Sequence, residues 1–314
     1  MSGTQRDFQG EVTVVIPTRN RMNCLRRVFP TYLQPGVSRV LIVDDASEPA
    51  VDYAELHRLA GLLPVRAERL DRRHGQPGAR NVATSHAETD WLLFSDDDVF
   101  LDPGYVEALM AAQVQTGADI VAGSRIYLVD GEDAETARER CAAMTGEPFD
   151  RRYLMANFSA LMPENREVLH LQTTALIRRS LAAEIRWDEG FPPPSYREET
   201  DFYLRAAASG ARLVWARDAV CFHLAPADTA VGGQRTRHWW TYELGAIKCN
   251  HRFMGRHYEF LRQHQAIDGP RWLAELRFNR WRLQGGFLRD AYQRYLRSGI
   301  RPLVQRVRGR TCAG

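Results

Sequence analysis

Trp91-Leu92-Leu93-Phe94-Ser95-Asp96-Asp97-Asp98 runs four apolar residues straight into three carboxylates. The apolar part reads as a strand that stops at the acidic turn. Adjacent carboxylates at a strand's carboxyl end repel one another unless a cation or a positive partner neutralises them. Strand side chains alternate, so Asp96 and Asp98 point to one side and Asp97 to the other. Two same-side carboxylates leave open positions on a hard cation such as Mg²⁺ or Mn²⁺, which diphosphate oxygens can fill. The plainer alternative is an acidic loop or a helix cap ahead of Pro103.

Outward from this run, short apolar stretches alternate with helical ones. Val12 to Ile16 is a β-branched strand ended by Pro17, and Met22 to Leu33 has apolar residues at helical spacing. Arg39 to Val43 is a strand followed by Asp44 and Asp45, and Leu63 to Ala67 is a weaker one. Pro77 to Ala87 reads as a helix with proline in its first turn. Pro103 to Gln115 is another helix and Ile120 to Ala122 another strand. Such alternation implies an α/β fold, a mainly parallel sheet flanked by helices with right-handed crossovers. Polar residues gather after strand ends, where open α/β sheets bind ligands.

Past Gly131 the pattern loosens. Ala134 to Met144 looks helical, Leu171 to Ile177 extended, and Glu198 to Ala208 helical. Arg212 to Trp215 and Val220 to His223 look like short strands, and the chain beyond Gly233 is helical in texture.

Composition sets the frame. The chain of 314 residues is 44% hydrophobic, enough to bury a core rather than remain disordered. No apolar run approaches the roughly 20 residues of a membrane span, and no secretory signal opens the chain. The expectation is a soluble, cytoplasmic protein, with peripheral contact at the inner membrane face left open. Five scattered cysteines without a C-x-x-C pair argue against disulfides and zinc. Residues 227–314 carry 17 Arg and Lys against 6 Asp and Glu, a net of +11 that leaves −8 for the rest of the +3 chain. An acidic front suits a cation site, and a basic tail suits an anionic surface. The expected division is a catalytic domain over 1–225 and a basic, helical region over 226–314.

Four segments in order resemble the family 2 glycosyltransferases, which have the GT-A fold. They are Val14-Val15-Ile16-Pro17-Thr18-Arg19-Asn20-Arg21, Leu41-Ile42-Val43-Asp44-Asp45-Ala46-Ser47, Gly75-Gln76-Pro77-Gly78-Ala79-Arg80-Asn81 and Phe94-Ser95-Asp96-Asp97-Asp98. The resemblance implies that Pro17, Thr18, Arg19, Asp44 and Asp45 line a pocket for base and ribose, one of the two aspartates serving only the turn. It adds Arg80, Asp96 and Asp97 to the donor-binding set, Arg80 as a phosphate contact. It also places Asp98, Asp96 and His223 at an Mn²⁺ or Mg²⁺ ion.

Tyr196-Arg197-Glu198-Glu199-Thr200-Asp201-Phe202-Tyr203-Leu204-Arg205 is similar to the family's acidic segment at the helix beside the acceptor. The resemblance makes Glu199 the general base where aspartate is usual, with Glu198 as the fallback. Asp201 and Arg205, four apart, can pair along the helix, so Asp201 reads as structural. Trp187 and Phe191 resemble an acceptor wall, and core packing claims at least one of them.

The implied activity is inverting transfer of a sugar from a nucleotide sugar, most plainly a UDP-sugar, to a carbohydrate, lipid-linked or small-molecule hydroxyl. A sugar-1-phosphate nucleotidyltransferase and a binding protein on a degenerate fold are the alternatives. The former lacks its glycine-rich loop and lysine here: Pro17-Thr18-Arg19-Asn20 stands in the loop's place and Lys248 is the sole lysine. The tryptophans around His238-Trp239-Trp240 are expected to pack the tail onto the front domain, not to bind nucleic acid. The stripe from Tyr295 to Arg310 suits anionic lipid or a homodimer contact.

Overall fold

The computed structural model describes residues 8–143, 148–229 and 239–297, with side chains in the last stretch described for 240–285. His238 and the side chains of the 295–310 stripe lie outside this set.

The front of the chain forms β1 (Val12–Thr18), α1 (Met22–Val28), β2 (Val37–Asp44), α2 (Tyr53–Ala60), β3 (Val65–Arg69), α3 (Gly75–His86) and β4 (Trp91–Phe94). Pro30 ends α1 early, and Phe29–Tyr32 continues as a single 3-10 turn. Next come β5 (Val99–Leu101), α4 (Tyr105–Thr116), β6 (Ile120–Tyr127) and α5 (Ala134–Ala142). Three two-residue strands follow, β7 (Phe149–Asp150), β8 (Met155–Ala156) and β9 (Arg166–Glu167). β10 (Ala175–Arg178), α6 (Arg179–Ile185), α7 (Glu198–Ala208), β11 (Leu213–His223), α8 (Trp239–Gln263) and α9 (Arg271–Arg297) complete the chain.

The main sheet has the order β3-β2-β1-β4-β10-β6-β11-β5. Its β3-β2-β1-β4 half is parallel, as the alternating pattern requires. The other half is mixed, because β10 runs antiparallel between β4 and β6 and β5 antiparallel to β11. The two short apolar runs after Arg212 join into one strand, with a register shift between Trp215 and Val220 along β6.

This topology brings the polar segments to one edge. Thr18 pairs with Asp44, and Val15 with Phe94, so β1, β2 and β4 end side by side. β10 enters from that same edge, carrying Thr173 and Thr174 ahead of Ala175. His223 pairs with Val99, which sets it beside the turn that follows β4.

Alternation divides the core into two layers: Val14 and Ile16 pack under α1, while Val15 packs with Ala79 and Ala83 of α3. A third cluster joins Phe191 and Leu204 to Cys249, Phe253 and Met254, docking α8 against α7. Burying one side chain of this size contributes about 1.5–3 kcal/mol. The expected tryptophan packing is met only in part: Trp240 and Trp272 are exposed, Trp281 is partly covered with its ring 6.1 Å from that of Tyr153, and the Trp239 side chain lies outside the described set. The helix phase turns Ala274, Phe278 and Arg282 inward, at steps of four, and leaves Trp272 and Leu276 outside. Cys24, Cys141, Cys221 and Cys249 are buried free thiols. Among the described residues no helix is long and apolar enough to cross a bilayer.

Candidate active site

Two adjoining cavities open at the strand edge and share Arg21, Gln76, Pro194 and Ser195 as walls. The smaller, about 440 Å³, is lined by Pro17, Thr18, Arg19, Asp45 and Asp97 among others. The larger, about 860 Å³, is lined by Asp96, Asp98, His223, Glu198 and Glu199 among others. Both volumes suit small organic ligands. Asp96 and Asp98 therefore line one cavity and Asp97 the other, the division expected of alternation, although the strand ends at Phe94 and Asp97–Asp98 form a turn.

Each carboxylate of the acidic turn has an arginine. Arg21 donates to Asp97 at 2.9 Å and to Asp98 at 2.7 Å, and Arg125 reaches Asp96 at 3.0 Å. The Thr18 hydroxyl donates to Asp97 at 2.7 Å, and burial nonetheless pushes the Asp97 carboxyl above its ordinary value. Burial also acts to raise Asp98, but the His223 contact at 3.3 Å and the Arg21 charge outweigh it and hold the carboxyl well below the usual range.

Arg80 occupies the centre of the site. Its guanidinium pairs with buried Glu198, donates to the Gln76 side-chain oxygen at 2.8 Å and lies 3.5 Å from Asp96 and 3.9 Å from Glu199. It also stacks 4.6 Å above the Trp187 ring. This arginine was expected at a phosphate; fully buried among carboxylates, it instead braces the acidic groups. Burial raises the Glu198 carboxyl despite the Arg80 charge. Glu198 is thus locked into the interior.

Glu199, one position on and about 100° around the helix, keeps 29% of its side chain exposed to the larger cavity. The Thr173 hydroxyl donates to it at 3.3 Å. Asp201 faces the opposite way, where Arg205, Arg256 and His257 contact it at 2.7–2.8 Å. It ties α8 to α7.

The paired aspartates after β2 separate in role. Asp44 is fully buried and accepts from the Ser47 and Val51 amides, shaping the turn. Asp45 lines the smaller cavity and accepts the His74 and Gly75 amides at the start of α3. Trp187, expected at the acceptor wall, stacks on Phe202 at 4.2 Å inside the core, because the Asn81 side chain anchors its backbone there. Phe191 lines the smaller cavity, away from Glu199.

Arg21, Arg125 and Tyr127 also shape the site and went unnoticed in the sequence. In an arginine-rich chain, nothing local distinguishes Arg21 or Arg125 from a surface residue.

Five carboxylates here (Asp96, Asp97, Asp98, Glu198, Glu199) meet three guanidiniums (Arg21, Arg80, Arg125), which leaves two formal negative charges. A divalent cation fits that imbalance, and the Asp98–His223 pair offers one carboxylate and one imidazole, a donor set compatible with Mn²⁺. Among the described residues no group of three His, Cys, Asp or Glu side chains is arranged to hold a metal. Asp98 and His223 are thus two donors, fewer than a closed metal site needs.

The family model for glycosyl transferase family 2 matches residues 13–186, more than half of the chain. A Bacillus subtilis (strain 168) protein described as uncharacterized glycosyltransferase YwdF is 29% identical over 203 residues, which is 63% of this chain and 68% of that protein. The pre-mycofactocin glycosyltransferase of Mycobacterium tuberculosis (strain ATCC 25618 / H37Rv) is 28% identical over 214 residues, 68% of this chain and 42% of that one. Among solved structures, residues 1–349 of S. aureus TarS in complex with UDP-GlcNAc align with a TM-score of 0.54 at 17% identity, over 80% of this chain and 73% of that one. GalNAc-T7 with UDP, GalNAc and Mn²⁺ aligns with a TM-score of 0.52 at 15% identity, over 68% of this chain and 44% of that one. These likenesses show the fold, GT-A. The chain belongs to glycosyl transferase family 2 and is a glycosyltransferase.

Proposed function

We propose that the protein moves a sugar from a nucleoside-diphosphate sugar, with UDP the favoured nucleotide, to an acceptor hydroxyl by a single inverting displacement. The observation that carries this reading is one cavity wall bearing both the Asp96–Asp98 turn and Glu199, bridged by Arg80. The reading is favoured over a nucleotidyltransferase or a degenerate binding protein by the family match and by a carboxylate held free of strong pairing at Glu199.

In this reading the smaller cavity takes the nucleotide. Each Asp45 oxygen accepts one amide and retains acceptor capacity for an imide N–H, while Thr18 and Arg19 line the same wall. Arg21 is the partition between nucleotide and sugar, holding Asp97 on one side and Asp98 on the other. When bound, Mn²⁺ or Mg²⁺ at Asp98 and His223 offsets the charge that develops on the leaving diphosphate. Glu199 takes the proton from the acceptor hydroxyl as that oxygen attacks the anomeric carbon from the face opposite the leaving group. Thr173 orients the carboxylate, and Glu198 acts only through Arg80. The division at residue 225 is kept as part of this proposal, with α8 and α9 closing the acceptor side.

A thermal-shift panel of nucleoside diphosphates with Mn²⁺ tests it. At 100 times its dissociation constant, UDP is expected to raise the melting temperature by about 5 °C. A panel in which no diphosphate shifts the transition sinks the reading.

A further inference from the structure

The larger cavity extends past Glu199 to an end built from the α7 start and the C-terminal helices, where Arg197 and Arg282 line the wall. Both are more than nine-tenths buried. The arginines at the catalytic end, Arg21, Arg80 and Arg125, each have a carboxylate partner. Arg197 departs from that rule. Its two terminal nitrogens donate to the Leu154 and Tyr153 carbonyls at 2.7 and 2.9 Å, and among the described residues no carboxylate pairs with it. Arg282 pairs with Glu243, and its Nη2 has no hydrogen-bond partner among the described residues.

Of these two guanidiniums only Arg282 has a carboxylate among the described residues, and rings floor the space: Phe253 and Phe278 lie 5.0 Å from Arg197, and Tyr196 lies 5.0 Å from Arg282. Burial and the Arg282 charge pull Arg197 below its ordinary value, and burial with Arg197 pushes His170, on the same cavity, down to about 3. A positive charge held out of water without a counter-ion is costly. The amino end of α7, opening immediately after Arg197, adds a dipole of the same sign.

We infer that this end of the cavity is an acceptor subsite for a molecule carrying an anionic group, a carboxylate or a phosphate, bound by Arg197 and Arg282 while its hydroxyl reaches Glu199. The inference rests on the transfer reading above, since it takes Glu199 to mark where the acceptor reacts. Only Glu198 separates Arg197 from Glu199 at the start of one helix, and both side chains line one chamber. The nucleotide has its own cavity across the Arg21 partition. Tyr196 and Tyr242 supply flat faces for the rest of a sugar.

The test is calorimetric titration of the full chain, with and without saturating UDP and Mn²⁺. The probes are methyl glucuronoside and glycerol 1-phosphate, each beside its neutral counterpart, methyl glucoside or glycerol. At least one charged probe is expected to bind about tenfold more tightly than its counterpart, and the arm that responds identifies the anion. Arg282→Gln is expected to weaken that binding about tenfold, and Arg282→Lys to retain most of it. Because Arg282→Gln removes one partner of Glu243, the double variant Arg282→Gln/Glu243→Gln is run alongside, with unchanged UDP affinity reporting an intact fold. Equal affinity for charged and neutral probes, or full binding in the double variant, overturns the inference. Wild-type protein that binds UDP without selecting the anion sinks this inference alone, whereas failure to bind any nucleotide sinks the transfer reading.

Discussion

Glu198 and Glu199 are neighbours in sequence with opposite surroundings, and the proposed mechanism gives them different roles on that ground. Glu199 opens to the cavity beside Thr173, and Glu198 is closed against Arg80. Glu199→Gln keeps the shape and removes the base, so steady-state assays are expected to show kcat lowered by about 10²–10⁴ with nucleotide affinity retained. Glu198→Gln leaves a fully buried guanidinium short of its main counter-ion. Urea denaturation is expected to report a loss of about 3–5 kcal/mol. At this scale the sequence was legible where a simple rule matched the outcome: alternation past Phe94 puts Asp96 and Asp98 together and Asp97 apart, as the turn does. Arg80 was legible in position and not in partner, because its contacts with Glu198 and Asp96 come from distant segments that only the folded sheet brings together.

Elements carry the next level of constraint. α8 approaches the Pro192–Ser195 segment so closely that a Cβ on Gly245 would lie 2.3 Å from the Pro193 carbonyl oxygen. Pro194 and Ser195 line both cavities, so Gly245→Ala is expected to destabilise the protein by about 1–3 kcal/mol in urea melts and to raise KM. The same helix is held by charge. Burial would raise Asp188 and Asp201, but contacts from Arg252 and Arg256 hold Asp188 at about 2, and His257 and Arg205 hold Asp201 below its ordinary value. Carboxyls depressed in the folded state stabilise it above their unfolded value near 3.8 and lose that effect as pH falls through the folded value. Melting temperature is therefore expected to drop between pH 4 and about 2, and less steeply in Asp188→Asn/Asp201→Asn. Most strands and helices of the front half were readable because apolar periodicity reports burial directly. The reversal of β10 was not, since a four-residue apolar strand looks the same in either direction.

For the whole molecule, the active site is an edge of one sheet closed by a second layer of helices. In the proposed mechanism the parallel half supplies the nucleotide side and the mixed half the catalytic side. α8 and α9 complete the far wall through Tyr242 and Arg282. The charge contrast between the two halves was plain in the sequence, but not that one arginine of the basic half would turn inward over Tyr196. That placement depends on the phase of α9 against a core cluster contributed by α7 and α8. The central claim is that donor and base meet in one chamber. A crystal structure of the protein with UDP-GlcNAc and Mn²⁺ tests it most directly. The account predicts uracil beside Asp45, the diphosphate and cation at Asp98 and His223, and the anomeric carbon facing Glu199 across a gap that one hydroxyl can fill. A donor bound with its anomeric carbon turned away from Glu199, or on another face of the sheet, would contradict it.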